Sequence, residues 1–227
     1  MTSSPNIAHF FVTALQQRCS VVTNPETGET VIIDGGGDSE RIIQWIDSRI
    51  GEPDHEIGNY SGERKVVALI NTHAHFDHSG HIPYLKDHYS LDWWLHKDDF
   101  FLQSLAQESG RRWGFPLPKP AIAENTWEHG EIHTFGGMEF EIIHTPGHTL
   151  GGCCLRLIVA DGPDHLFAGD TLFQGSIGRT DLPNSGGDLD LLLRMIRERL
   201  WPLDGDTIVH PGHGPLTTIG QEKQTNP

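Results

Sequence analysis

Residues 65–72, Lys-Val-Val-Ala-Leu-Ile-Asn-Thr, are apolar almost without interruption, the pattern of a strand buried on both faces. Three shorter β-prone runs precede it at 7–13, 19–23 and 29–34, the last two joined by the turn-forming Asn24-Pro25-Glu26-Thr27-Gly28. The period then changes. Ile42, Ile46 and Ile50 recur four residues apart beside Trp45, which predicts a helix over 39–50 that Gly51 ends. Residues 51–64 are polar and predict a surface loop. Beyond the long strand the pattern predicts a helix over 82–88, a strand over 92–96 and a helix over 97–112. The proline-rich run from Gly114 to Pro120 interrupts the chain, and the style of its first half then repeats. Strands are predicted at 131–135, 138–144, 153–160 and 165–168. A helix follows over 188–201, with Leu189, Leu192, Leu193, Ile196 and Leu200 on one stripe and Pro202 as its stop. One more strand is predicted at 207–210, and Thr218 and Gln221 have the spacing of a capping box for a short closing helix. This order predicts one α/β domain over 1–227 in two sheet-plus-helix halves with a seam near 114–120, the sheets packed face to face and the helices outside.

Composition narrows what such a domain does. The apolar fraction is 36%, with ten Phe and six Trp, enough for a sizeable core in 227 residues. Sixteen Lys and Arg against thirty-one Asp and Glu leave a formal charge of −15, which disfavours nucleic acid and anionic membrane surfaces as partners. The largest basic cluster is Arg111-Arg112. No apolar run reaches the ~18 residues of a membrane span, and residues 1–7 do not read as a secretory leader. Three cysteines, two of them adjacent (Cys153 and Cys154), make no disulfide framework and fit a reducing cytoplasm. Fifteen histidines in a cysteine-poor chain point to metal held by imidazole and carboxylate. Gly35-Gly36-Gly37 matches no phosphate-binding fingerprint, since no Lys-Ser/Thr follows it, and reads as a loop.

The chemistry concentrates in residues 71–81, Asn-Thr-His73-Ala-His75-Phe-Asp77-His78-Ser-Gly-His81. Strand positions i and i+2 point the same way, so His73 and His75 at the end of the long strand can hold one cation together. Asp77 and His78 follow where the chain turns and can face a second. Composition alone produces His-x-His-x-Asp-His about 0.005 times in a chain like this one. Three further residues complete a shell, each in a loop after a predicted strand and each preceded by glycine: His148, Asp170 and His213.

This set resembles the metallo-β-lactamase superfamily. Gly169-Asp170-Thr171-Leu172-Phe173 and Gly178-Arg179-Thr180-Asp181 are similar to its glyoxalase II, or hydroxyacylglutathione hydrolase, branch. The tail from Pro211 to Gly220 resembles the short bacterial members. The resemblance implies an αββα sandwich with a site for two divalent metal ions, zinc in the first place with iron or manganese as alternatives. It implies that His73, His75 and His148 hold one ion, that Asp77, His78 and His213 hold the other, and that Asp170 bridges them. It implies hydrolysis of thioesters such as S-(hydroxyacyl)glutathione by a hydroxide shared between the ions, with Asp77 also orienting that hydroxide. A thiol of pKa about 8.5 leaves as thiolate without a dedicated acid. No counterpart of the glutathione-holding C-terminal domain of full-length glyoxalase II is recognised after the last motif. Arg179 is then the basic residue to contact an anionic thiol conjugate, the small-molecule partner expected here. An iron-dependent persulfide dioxygenase and a lactone, ester or β-lactam hydrolase are the competing readings. A non-catalytic metal-binding module is a further one.

Asp34 resembles the superfamily residue that supports the metal site from behind. His81 reads as a helix-surface or packing residue, and His210 as the end of a strand. His9, His55, His88, His96, His129, His133, His144 and His165 match no motif and read as structural or solvated. Cys153 and Cys154 read as small buried apolar residues, and Trp93 and Trp94 as packing on the sheet. The sequence leaves the oligomeric state open.

Overall fold

The computed structural model describes residues 4–227. Residues 1–3, part of the stretch read for a leader, lie outside the described residues. In chain order the strands are β1 (Asn6–Val12), β2 (Gln17–Thr23), β3 (Glu29–Ile33), β4 (His55–Ile57), β5 (Lys65–Ile70), β6 (Trp93–Trp94), β7 (Ile132–Phe135), β8 (Met138–His144), β9 (Cys153–Ile158), β10 (His165–Gly169), β11 (Leu172–Phe173), β12 (Ser176–Ile177), β13 (Ile208–Pro211) and β14 (Thr217–Thr218). The helices are α1 (Ser39–Ser48), α2 (Phe76–Ser79), α3 (Ile82–Tyr89), α4 (Phe100–Arg112), α5 (Leu189–Met195) and α6 (Ile219–Thr225). A 3₁₀ turn at Lys97–Asp99 leads into α4, and a π turn at Ile196–Leu200 continues α5.

Two six-stranded mixed sheets form, in the orders β4-β1-β2-β3-β5-β6 and β14-β13-β10-β9-β8-β7, with β11 and β12 as a separate hairpin. The first sheet comes from residues before 95 and the second from residues after 131, and the proline-rich run lies in the connection between them. Strand alternation sorts the apolar side chains into layers. Ile32 of β3 packs with Ile42, Trp45, Leu85 and Leu102 of the helices on the outer face of the first sheet. Its neighbours Val31 and Ile33 point the other way, against Phe140, Ile142, Leu155 and Phe167 of the second sheet. The far face of that sheet, with Ile143, Cys154, Leu166 and Val209, is covered by Leu192, Ile196 and Leu200. The result is the helix–sheet–sheet–helix sandwich that the pattern predicts. Adjacent Cys153 and Cys154 fall in different layers, both buried.

The departures are short elements. The polar stretch 51–64 contains β4, which pairs with β1 through Ile7–Ile57 and His9–His55. It is an edge strand of three residues with His55 and Glu56 exposed, so no alternation marks it. β6 is two residues long against a predicted five. There Trp93 is fully buried and donates its indole N–H to Asn71 Oδ1 at 3.0 Å, while Trp94 stacks on Trp127. The hairpin β11–β12 and strand β14 are likewise too short to show a period. Among the described residues no helix is long and apolar enough to cross a membrane.

Candidate metal centre

Strand β5 stops at Ile70, three residues before His73, so the two histidines stand on irregular backbone and strand alternation does not place them. Side chains replace the missing ladder. The Thr72 N–H donates to Asp34 Oδ1 at 2.7 Å and the Ala74 N–H to Asp99 Oδ2 at 3.0 Å. The chain then turns into α2, which carries Asp77 and His78. His148, Asp170 and His213 arrive from the loops after β8, β10 and β13. Two glycines permit the close approach. A Cβ on Gly212 would lie 2.3 Å from Asp170 Oδ1 and 2.7 Å from His78 Cε1, and one on Gly36 would lie 1.5 Å from the Asp77 carbonyl oxygen. Gly36, from the glycine run legible only as a loop in the sequence, thus lies directly against α2.

The seven residues converge in three overlapping groups: His73, His75 and His148; His73, His78 and Asp170; Asp77, His78 and His213. His75 Nδ1 and His148 Nε2 are 2.9 Å apart. His78 Nε2 is 3.3 Å from Asp170 Oδ1, and His213 Nε2 is 3.3 Å from Asp77 Oδ2 and 3.8 Å from Asp170 Oδ2. The opposite ring nitrogens are anchored. His148 Nδ1 donates to the Arg179 carbonyl at 2.6 Å and His213 Nδ1 to the Leu15 carbonyl at 3.1 Å. His78 Nδ1 donates to Asp34 Oδ2 at 3.0 Å, and Thr72 Oγ1 lies 3.1 Å from His73 Nδ1. Anchoring one nitrogen fixes the tautomer and leaves the other as a lone pair facing inward. His73 Nε2 is buried there with no hydrogen-bond partner, and His78 Nε2 and Asp170 Oδ1, equally buried, have only each other at 3.3 Å, without the geometry of a hydrogen bond. A buried polar atom without a partner costs about 1–3 kcal/mol. Three poorly satisfied nitrogen and oxygen donors at one point fit cations.

The electrostatics agree. Burial, with neighbouring imidazoles adding to it, holds His73 well below the ordinary value and His75 at about 3. Burial also lowers His148, so all three rings present neutral nitrogen at neutral pH. Burial alone would raise the Asp170 carboxyl, but His78 and its neighbours outweigh that and hold it well below the usual carboxylate range. Burial opposes charge on His78 and His213 too, yet Asp170 and Asp77 draw both upward. The two carboxylates demand positive charge at this point.

Residues given weaker roles separate clearly. Asp34 sits at φ 57°, a left-handed conformation that Asp tolerates, and binds both Thr72 and His78. Arg179 brings its carbonyl to His148, but its exposed guanidinium is paired in two-point fashion with Asp181 at 2.9 and 3.0 Å. His81 stays outside the cluster, with Nδ1 at 3.0 Å from Ser39 Oγ. His210 lies within β13 and bonds to His9 and His165. His96, Asp98 and His144 also lie close together. Their two rings stack at 4.0 Å and 13°, so the in-plane lone pairs run side by side and do not converge, and His144 Nε2 is spent on the Leu150 carbonyl. Asp99 and Gly36 carry no mark in the sequence that singles them out. A lone Asp before a helix reads as a cap, and nothing in the chain pairs residue 99 with residues 74 and 149.

A sequence model of the metallo-β-lactamase superfamily matches residues 12–213. The hydroxyacylglutathione hydrolase GloC of Haemophilus influenzae is 42% identical, covering 98% of this chain and 97% of its own. Among solved structures, the B3 metallo-β-lactamase BLEG-1 is 35% identical with a TM-score of 0.82, covering 97% of this chain and 98% of its own. TTHA1623 in a di-iron-bound form is 35% identical with a TM-score of 0.77, covering 95% and 96%. With the sandwich, the convergent donors and this agreement along almost its whole length, the chain belongs to the metallo-β-lactamase superfamily.

Proposed function

We propose that the protein is a metal-dependent hydrolase of thioesters, of which S-(hydroxyacyl)glutathione is the type. The observation that carries this is the convergence of His73 Nε2, His78 Nε2 and Asp170 Oδ1, buried and without hydrogen-bond partners, amid the other donors. His73, His75 and His148 would hold one divalent cation, Asp77, His78 and His213 a second, and Asp170 both. Five imidazoles and two carboxylates suit zinc, iron or manganese. Two such cations supply Lewis acidity and a water that loses its proton near neutral pH.

The chain's own residues do the rest. Asp77, at the edge of that cluster, accepts a hydrogen bond from the attacking water and aims it at the acyl carbon. Asp34 and the Arg179 carbonyl keep His78 and His148 in the tautomers that face inward. No residue is needed to protonate the leaving sulfur, because a thiolate departs unaided. Covalent catalysis by cysteine has no candidate: Cys19, Cys153 and Cys154 are buried, burial raises all three thiols, and Cys154 stands at about 11. Arg179 is the candidate contact for an anionic thiol conjugate, once its pairing with Asp181 yields. The thioester substrate is supported by the similarity to the Haemophilus enzyme. Three buried free cysteines and a thiol-conjugate substrate suit a reducing compartment such as the cytoplasm.

The test is a comparison of three substrates with zinc-, iron- and manganese-loaded protein. S-lactoylglutathione should be cleaved with release of free thiol, well above a chromogenic cephalosporin and without oxygen uptake on glutathione persulfide. Preferential opening of the cephalosporin would replace the thioester reading with lactam hydrolysis. Oxygen consumption with persulfide would replace it with the dioxygenase.

A further inference from the structure

Asp99 stands at the end of the 3₁₀ turn before α4 and is fully buried. Its carboxylate accepts three hydrogen bonds from two distant parts of the chain. Oδ2 takes the Ala74 N–H and the Thr149 hydroxyl, both at 3.0 Å, and Oδ1 takes the Gly151 N–H at 2.7 Å. Ala74 lies between His73 and His75, and Thr149 follows His148. One side chain therefore ties together the two segments that carry a three-histidine cluster, without touching any of its rings. The approach is close: a Cβ on Gly151 would lie 2.6 Å from the Asp99 nitrogen and 2.8 Å from its Cγ. Burial pushes the Asp99 carboxyl up to about 6, so at neutral pH it is ionised and accepts all three bonds.

We propose that Asp99 is the positioning residue of the His73–His75–His148 cluster, setting the spacing of its three imidazoles and hence the affinity of that half of the centre for a cation. Asp34 offers a contrast. Its carboxylate bonds the His78 ring directly and reaches the His73 ring through the Thr72 hydroxyl. Asp99 acts only through backbone N–H groups and a neighbouring hydroxyl, and so bears on the spacing of the two segments. Asn in place of Asp99 keeps the shape but turns an NH₂ toward an N–H or hydroxyl, so at least one of the three bonds is lost. The inference rests on the metal-holding part of the proposed function and not on the substrate.

Zinc affinity measured by chelator competition tests it without any substrate. D99N should release one of two zinc ions at roughly 10–100-fold lower chelator strength, the range for partners that orient metal ligands, while the second ion stays. In an H148A background, where the cluster is already broken, D99N should add nothing further. T149V removes only the hydroxyl bond and should weaken the same ion by a smaller factor. T149S keeps the hydroxyl and should leave it alone. The T149V and T149S pair decides the matter by the same readout if D99N fails to fold. Equal weakening of both ions, additive losses in the H148A background, or unchanged affinity would each overturn the proposal and leave Asp99 as a fold-stabilising residue. A wild-type chain that takes up no zinc, iron or manganese would overturn the metal reading itself, whereas failure of thioester cleavage alone would leave this result standing.

Discussion

Two groups of buried histidines lie in this fold, and they are built differently. In the loops after β5, β8, β10 and β13, imidazoles meet two carboxylates, and three donor atoms are left without hydrogen-bond partners. Within the sandwich, His9, His210 and His165 form a single file. Ser20 Oγ lies 3.0 Å from His9 Nδ1, His9 Nε2 lies 3.0 Å from His210 Nδ1, and His210 Nε2 lies 2.9 Å from His165 Nδ1. Phe167 stacks on the middle ring at 4.7 Å. No carboxylate hydrogen-bonds to these three rings among the described residues. Burial, first among the causes, lowers all three. His9 and His210 spend both nitrogens on their neighbours and His165 spends Nδ1, so the file is paired within itself. Histidine number and burial therefore do not distinguish a cation site from a core. Lone pairs that converge unpaired beside carboxylates do.

Asp170→Ala tests that distinction most severely. It should remove both ions from the loops and reduce hydrolysis to background, because one carboxylate serves both groups of donors. His210→Phe should leave the metal content at two. Loss of metal in the His210 variant, measured by elemental analysis of dialysed protein, would erase the contrast. Next in size, Asp77→Asn should keep the fold and most of the metal but lower kcat by at least ~10²-fold, since the charge that orients the attacking water is gone. Unchanged turnover would remove Asp77 from the chemistry.

The inner file should show itself in stability instead. Unfolded imidazoles take up protons near pH 6.5, whereas folded His165 does so at about 4, and burial holds His9 and His210 well below the ordinary value too. Between those values the unfolded chain binds more protons. Stability is therefore full above pH 6.5 and is lost as pH falls toward 4. In metal-free protein, His73, His75 and His148 act in the same direction, while the raised values of His78 and His213 act in the opposite one. His210→Phe isolates the file. It should cost about 1–3 kcal/mol at pH 8, because His9 and His165 each lose a partner, and should shrink the further loss between pH 8 and pH 5. Denaturant melts at the two pH values measure both, and an identical acid loss in variant and wild type would show that the file does not titrate.

The smallest effect is expected at Arg179. Its guanidinium is exposed and already paired with Asp181, so Arg179→Ala should raise KM for an anionic thioester by only about two- to fivefold. A neutral thioester of similar size should be indifferent. Equal losses on both substrates would assign the residue to holding the His148 loop through its carbonyl.

The chain's own pattern determined the two-sheet sandwich and brought attention to His73, His75, Asp77, His78, His148, Asp170 and His213, because buried strands, amphipathic helices and closely spaced donors leave local signatures. The short strands β4, β6, β11, β12 and β14 left none, since two or three residues cannot show a period. Tertiary structure alone decided how the donors are aimed. Asp34 and Asp99 supply acceptors where the β5 ladder has stopped, and the carbonyls of Leu15 and Arg179 choose tautomers from more than thirty residues away in sequence. It also decided which histidines are paired with one another and which are left facing a common point. Those relations depend on distances between segments that are far apart along the chain, and a backbone acceptor is the same atom at every residue, so no sequence pattern can mark the one that matters.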